Sequence, residues 1–340
     1  MATLPKAPPH VGIVVLNWNN HEASARCLRT LATATYPRRT VYLMDNASTD
    51  GSWERLLDEF GSGVRAFRNP ANLGFAAGCN PGLRAALADG CDFVLLLNND
   101  CVVVDPGFLE PAVALAAAEP DVGLVGGRIV FWPDTGRLWS TGGDLSFWGA
   151  ERHFGHREPD RGQFGEVAER EFISGALMLI RRSVVERIGE LPEAYFFGKE
   201  EWEYSTRARR AGFRLLYHPA MRVAHEASLS TDATDLVYVY NGTLSKILYK
   251  RRNLPGWRFA LWDACYAAYL HAFFPLKHAL HADDYLANQP PAELRRVMAE
   301  AWRDARGIRR VTGEMLAAFR TRESARRPRD GVQPAAGTSR

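Results

Sequence analysis

The chain has 340 residues and a mass of 37.9 kDa, with 46% hydrophobic and 24% charged residues, the make-up of an ordinary globular protein. A length of this order holds one large domain with an appendage, or two small ones, and buries a core without staples. Wholesale disorder, a collagen-like fibre and a disulfide-rich scaffold are excluded. The net charge is +3, but residues 291–340 hold 12 basic against 6 acidic residues. That basic stretch lies away from every motif described below, which argues against a nucleic-acid partner. Cys27, Cys79, Cys91, Cys101 and Cys265 show no CxxC spacing, so neither a zinc site nor a disulfide framework follows. The first ten residues lack the apolar stretch of a signal peptide, which predicts a cytoplasmic protein.

In chain order, residues 11–16 (VGIVVL) predict a buried strand and 21–33 a helix. A second strand is expected at 41–44, a helix at 52–60 and a short strand at 64–67. A helix at 76–88 precedes the most apolar strand, 93–97 (FVLLL), and a helix at 107–118 precedes an extended run at 123–131. Apolar strands alternating with helices argue for a mostly parallel sheet covered on both faces, an α/β fold. Residues 132–170 read as loops with short strands, 172–180 as a strand pair or a single strand, 183–188 and 200–211 as helices, and 213–217 as a strand. Beyond residue 231, segments 236–249 and 257–280 are helical and rich in aromatic residues, and 292–319 is a basic helix pair. The last twenty residues, 321–340, are expected to be disordered. Segment 257–280 contains Arg258, Asp263, His271 and Lys277, so it reads as an amphipathic helix lying on its own domain or on a membrane surface, not as a span.

The sequence Gly61-Ser62-Gly63-Val64-Arg65-Ala66 matches G-x-G-x-x-A, but a helix precedes it and a strand follows, so it reads as a turn. The polar clusters are more informative. Asn17–Asn20, Asp45–Asp50 and Asn98–Asp100 each follow a strand, at the end of an open α/β sheet where ligands bind. A carboxylate such as Asp100 at a strand end can hold a hard divalent cation bridging two phosphates, although Asn and Asp are also ordinary turn residues.

Five ordered segments carry a resemblance: Leu16-Asn17-Trp18-Asn19-Asn20, Asp45-Asn46-Ala47-Ser48-Thr49-Asp50-Gly51-Ser52, Asn72-Leu73-Gly74-Phe75-Ala76, Asn98-Asn99-Asp100 and Glu200-Glu201-Trp202-Glu203. Together they resemble family 2 glycosyltransferases of the GT-A fold, in particular the bacterial rhamnosyltransferase-like branch, over roughly residues 11–230. The resemblance implies a glycosyltransferase domain over 1–230, with a nucleotide-binding half near 11–130 and an acceptor half near 131–230. A helical extension over 231–320 and the tail complete the chain.

By the same resemblance, Asn17, Asn19, Asp45, Asn72, Gly74, Asn98 and Asn99 line the nucleotide site, with Asp45 bonded to the base. Asp100 occupies the last position of the family's DxD metal motif, whose first position here is Asn98, and His225 is a further metal or phosphate ligand. Glu201, with Glu200 sharing the role, stands where the family has its general base. Ser174, Gly175 and Trp202 belong to the acceptor site. Trp132, Trp139 and Trp148 are further candidate sugar platforms, each more readily read as core.

The implied reaction is inverting transfer from a TDP- or UDP-sugar, rhamnose among them, with Mg²⁺ or Mn²⁺. The acceptor would be the hydroxyl of a glycan, a lipid-linked glycan or a secondary metabolite, with peripheral membrane contact through the C-terminal helices at the cytoplasmic face of the inner membrane. The alternatives are a noncatalytic nucleotide-sugar-binding scaffold and a sugar-phosphate nucleotidyltransferase; the latter would favour a Gly-rich basic loop after the first strand, which residues 17–21 lack.

Overall fold

The computed structural model describes residues 7–146, 151–226, 236–274 and 290–326. The apolar runs pair as anticipated: β1 (Val11–Asn17) lies parallel between β2 (Arg39–Asp45) and β4 (Phe93–Asn98), and β3 (Arg65–Arg68) extends β2 in parallel. Helices α1 (His21–Ala32), α2 (Ser52–Phe60) and α3 (Phe75–Ala88) connect them. After β4 come β5 (Cys101–Val103), α4 (Leu109–Ala118), β6 (Val122–Phe131), β7 (Leu138–Ser140), β8 (Gly143–Leu145), β9 (Glu151–His153) and β10 (Ala168–Glu169). Then follow β11 (Leu177–Arg181), α5 (Arg182–Ile188), α6 (Glu200–Arg210) and β12 (Arg214–His225). The main sheet runs β10-β12-β6-β11-β4-β1-β2-β3, with β5 on β12 and β7 on β6.

Side chains alternate across the central strands with the period of a pleated sheet. Val11, Ile13 and Val15 enter one cluster with Leu28 and Leu31 of α1 and Leu109 and Val113 of α4. Val14 enters the other, with Leu83 and Ala86 of α3 and Tyr204 of α6. Both sheet faces are therefore covered, and the polar residues of β1, β2 and β4 emerge only at the strand ends.

A third cluster forms beyond β12, from α7 (Leu236–Asn253), α8 (Gly256–Ala268) with a π-helical turn after it (Tyr269–Phe273), α9 (Pro291–Asp304) and α10 (Gly313–Arg326). Tyr240 stacks on Phe319 with ring centroids 4.1 Å apart. Phe172, Tyr195 and Trp202 join the same cluster, so these helices pack directly on α6 and the segment before it. Among the described residues, no helix is long and apolar enough to cross a membrane.

Several expectations change. The strand predicted at 172–180 begins only at Leu177, because residues 174–177 make a turn in which Leu177 N donates to the Ser174 carbonyl at 3.2 Å. The strand predicted at 213–217 runs on to His225, passing Pro219 through a register shift between His218 and Arg222. Strand β5 was not anticipated at all. The helix α10 reaches Arg326, into the stretch expected to be disordered; residues 327–340 lie outside the described residues, as does the end of segment 257–280 beyond Phe274. Gly61–Gly63 forms a turn between α2 and β3, as the flanking pattern required.

Candidate active site

The ends of β1 and β2 meet as register neighbours, Asn17 beside Asp45. Asn17 is buried and saturated: its Nδ2 reaches Asp45 Oδ1 at 2.9 Å, Ser52 Oγ at 3.0 Å and Ser48 Oγ at 3.1 Å, while its Oδ1 accepts from Ser24 Oγ at 2.7 Å. Asp45 is 0% exposed; its Oδ2 accepts from Ser48 N at 2.9 Å and lies 3.3 Å from Arg68 Nε. Both residues thus sit inside a hydrogen-bonded knot, not on a pocket wall, because every buried polar atom there finds its partner within the protein. That corrects their expected placement as lining groups: Asn17 fixes Asp45, and Arg68, which no motif singled out, covers it. Asn19 is exposed, with φ of 48°, and its Oδ1 accepts from Thr49 N at 2.7 Å. Trp18, 43% exposed at the same strand end, is a surface aromatic that sequence reasoning passed over although it lies inside the quoted motif.

Residues 72–74 form the next wall. Asn72 Oδ1 accepts from Asn46 Nδ2 at 2.8 Å and from Gly74 N at 3.0 Å. Gly74 has φ of +84°, and a Cβ there would collide with the Phe196 carbonyl, so only glycine fits. The close approach lets Phe75 N donate to Phe196 O at 2.7 Å, tying the start of α3 to the segment that leads into α6.

Asn98 and Asp100 flank the link from β4 to β5, and the pairing of β5 with β12 places His225 opposite Cys101. Asp100 Oδ1 comes within 3.0 Å of His225 Nε2. Asn98 Oδ1 and His225 Nδ1 are buried without a hydrogen-bond partner, and Asp100 Oδ1, also buried, has only His225 Nε2 beside it. Such oxygens and an imidazole gathered in one place suit a hard divalent cation, so these residues fit the ion that the DxD-like motif implies. Cys101 Sγ is in the same cluster, but it donates to Ala176 O at 3.5 Å and burial holds it as a thiol, which such a cation does not seek. Asn99 Nδ2 donates to Ser24 Oγ at 2.8 Å, joining this loop to the Asn17 knot. Trp139 presents its ring edge-on to His225 at 4.6 Å between centroids, and Trp132 is half-buried nearby in sequence; Trp148 lies outside the described residues.

Helix α6 opens with three acids in its first turn, Glu200, Glu201 and Glu203, where the helix dipole favours negative charge. Its cap, Lys199, has φ of 86° and donates its backbone N–H to Glu201 Oε2 at 3.1 Å. Glu201 is half-buried and faces Gly175, where an added Cβ would be 3.7 Å from the Glu201 Cβ. Ser174 is buried, with its Oγ accepting from Ala176 N at 3.3 Å. The turn 174–176 thereby spans the site, since the Ala176 carbonyl also accepts from Asn98 N at 3.1 Å.

Glu200 is only 6% exposed, and burial, then the neighbouring charge of Glu201, pushes its pKa from 4.5 up to about 8. The folded state therefore holds a proton that the unfolded chain releases, and stability falls as pH rises from about 4.5 to about 8. Glu200→Gln abolishes that dependence. The gap in Tm between wild type and Glu200→Gln, followed from pH 5 to 8.5, should move steadily in the variant's favour; a constant gap would contradict the buried proton.

Trp202 requires a correction. It is 0% exposed, enclosed by Phe172 and Tyr249, with Lys199 Nζ 3.8 Å from its ring centroid, so it is core and not a sugar platform. Toward the C-terminal end of α6, Arg207, Arg209 and Arg210 bond Glu190 O, Glu171 and Asn253.

A family model described as "Glycosyltransferase like family 2" matches residues 8–238. The chain belongs to glycosyltransferase family 2. This transferase is similar to the N-acetylglucosaminyl-diphospho-decaprenol L-rhamnosyltransferase of Mycobacterium tuberculosis, at 26% identity over 267 residues, covering 72% of this chain and 85% of that protein. It is also similar to the O-antigen biosynthesis protein RfbC of Myxococcus xanthus, at 28% identity over 223 residues, 60% of this chain and 16% of that one. Among solved structures, the mannosyltransferase PcManGT from Pyrobaculum calidifontis in complex with GDP-Man and Mn²⁺ superposes with a TM-score of 0.54 at 18% identity, covering 95% of this chain and 82% of that one. GalNAc-T7 with UDP, GalNAc and Mn²⁺ gives 0.56 at 16% identity, covering 95% and 59%. These likenesses establish the GT-A fold; the family membership makes the protein a nucleotide-sugar glycosyltransferase.

Proposed function

We propose that this transferase catalyses inverting, cation-dependent transfer of a sugar from a TDP- or UDP-sugar, rhamnose foremost, to a hydroxyl of a lipid-linked cell-envelope glycan. The observation that carries the reading is the turn 174–176, which sets the Asn98–Asp100–His225 cluster on one side and Glu201 on the other. A cation-held diphosphate and a base acting on an acceptor then share one small site. The rhamnosyl donor and lipid-linked acceptor are supported by the printed activity of the mycobacterial relative.

In this reading Asp100 and His225 hold the cation, with Asn98 Oδ1 beside them. A bound divalent ion supplies neutralisation of the charge that develops on the departing diphosphate. Glu201 accepts the acceptor's hydroxyl proton as that oxygen attacks C1. The new C1–O bond forms as the bond from C1 to the diphosphate oxygen breaks, with inversion at C1. Glu200, neutral beside it, leaves a single negative charge for the proton. The exposed Trp18 and Asn19 stand at the strand end where the nucleoside would lie, and the C-terminal helices remain a candidate contact with the membrane face carrying a lipid-linked acceptor.

The decisive experiment supplies TDP-rhamnose, UDP-N-acetylglucosamine, UDP-glucose and GDP-mannose in turn with Mn²⁺ and a polyprenyl-diphospho-N-acetylglucosamine acceptor. Product anomers are then assigned by NMR. A product of inverted configuration from a pyrimidine donor is expected. Retention, or turnover only with the GDP-sugar, would overturn the mechanism or the donor assignment respectively.

A further inference from the structure

Among the contacts that attach the helices beyond β12 to the site is an ion pair with a buried carboxylate and a half-exposed guanidinium. Glu203 lies one turn beyond Glu200 on α6, 4% exposed, and receives Arg252 of α7 in a two-point contact: Nε to Oε2 at 2.8 Å and Nη2 to Oε1 at 2.9 Å. Tyr195 OH adds a third bond to the same carboxylate at 2.6 Å. Burial opposes ionisation of Glu203, but the hydrogen bonds from Arg252 and Tyr195 outweigh it and hold its carboxyl below the usual range. The reaction outlined above uses none of these three side chains.

Residues 194–199 run between this pair and the donor side of the site, and C-terminal residues grip them along their length. Val311 N donates to Ala194 O at 2.8 Å, and Asn241 Nδ2 donates to Phe197 O at 2.8 Å. A Cβ on Gly313 would stand 3.0 Å from the Phe196 ring and 3.8 Å from Asn72 O, so the last helix begins in contact with the donor wall. The same segment contributes the Phe196 carbonyl to Phe75 and, through Lys199, caps α6 and bonds Glu201.

An ion pair with a half-exposed partner adds little net stability, but a two-point guanidinium–carboxylate contact fixes direction as well as distance. Displacements of about 1 Å at a reacting group cost rate heavily. We infer that Arg252, acting through Glu203 and Tyr195, is a positioning residue that sets the start of α6 and the 194–199 segment, making the C-terminal helices a working part of the catalytic site. The inference rests on the reading of Glu201 as the base.

The test uses the full chain and release of nucleoside diphosphate from whichever pyrimidine sugar supports turnover, together with amide hydrogen exchange. Arg252→Met is expected to lower kcat about tenfold or more with the donor KM within about twofold, and Arg252→Lys to recover a substantial part. The Phe75 and Lys199 amides should exchange faster in Arg252→Met, although neither touches Arg252. Wild-type kcat in folded Arg252→Met would overturn the inference. Should that variant not fold, Glu203→Gln, which removes the charge and keeps the shape, is read the same way. Glu201→Gln is run alongside: full turnover there would overturn the base assignment alone, and the positioning role then stands or falls on the exchange at Phe75 and Lys199.

Discussion

Glu201→Gln is expected to lower kcat by about two to four orders of magnitude, the range that a positioned general base contributes. Donor binding should survive, because Glu201 takes no part in the hydrogen bonds of the Asn17–Asp45 knot or in the Asp100–His225 contact. The variant keeps an acceptor oxygen for the Lys199 N–H, so the cap of α6 is retained and the lost activity is chemical. Nucleoside diphosphate release with saturating donor and acceptor gives kcat, and a thermal shift with the nucleotide confirms binding. Glu200→Gln separates the two acids. Its group already holds a proton near neutrality, so the amide reproduces its charge and activity at pH 7 should change far less. A collapse of activity in Glu200→Gln with little loss in Glu201→Gln would exchange the two roles.

Asp100→Ala is the second large effect. Removing the carboxylate leaves His225 and Asn98 without a charged partner for a cation, and the neutralisation of the leaving diphosphate should disappear with it. A loss of about a hundredfold or more in kcat/KM is expected, since such neutralisation amounts to several kcal/mol at the transition state. The binding measurement is independent of turnover. A nucleotide at a hundred times its Kd stabilises the folded chain by about 2.7 kcal/mol. In wild type that stabilisation by UDP or TDP should depend on Mn²⁺; in Asp100→Ala the metal-dependent part should vanish. Equal Mn²⁺ dependence in both proteins would remove Asp100 from the cation site.

The parallel strands were legible because β1, β2 and β4 are apolar runs whose only polar residues stand at their ends. The acidic start of α6 was legible because three acids in four residues exceed what a helix terminus requires. Other features were not, and the reason is physical. Asn and Asp at a strand end use the same hydrogen bonds to meet a ligand or to knit a loop, so Asn17 and Asp45 read as lining groups, and burial alone reveals the knot. Trp202 follows the acidic pair and reads as a platform, yet helical geometry turns it toward Phe172 and Tyr249. Strand β5 has three residues and no pattern of its own; it exists because β12 continues past Pro219 to meet it. The Glu203–Arg252 pair joins residues 49 apart, and nothing local marks either partner.

The pairing of β5 with β12 has a consequence for how the protein matures. His225 meets Asn98 across 127 residues of chain, so the loop that must close before those side chains gather is among the longest in the sheet. The β1–β2–β4 layer can assemble from its neighbours, whereas the cation cluster waits for the final strand. On the reading proposed above, affinity for the ion would be acquired only once β12 has paired with β5.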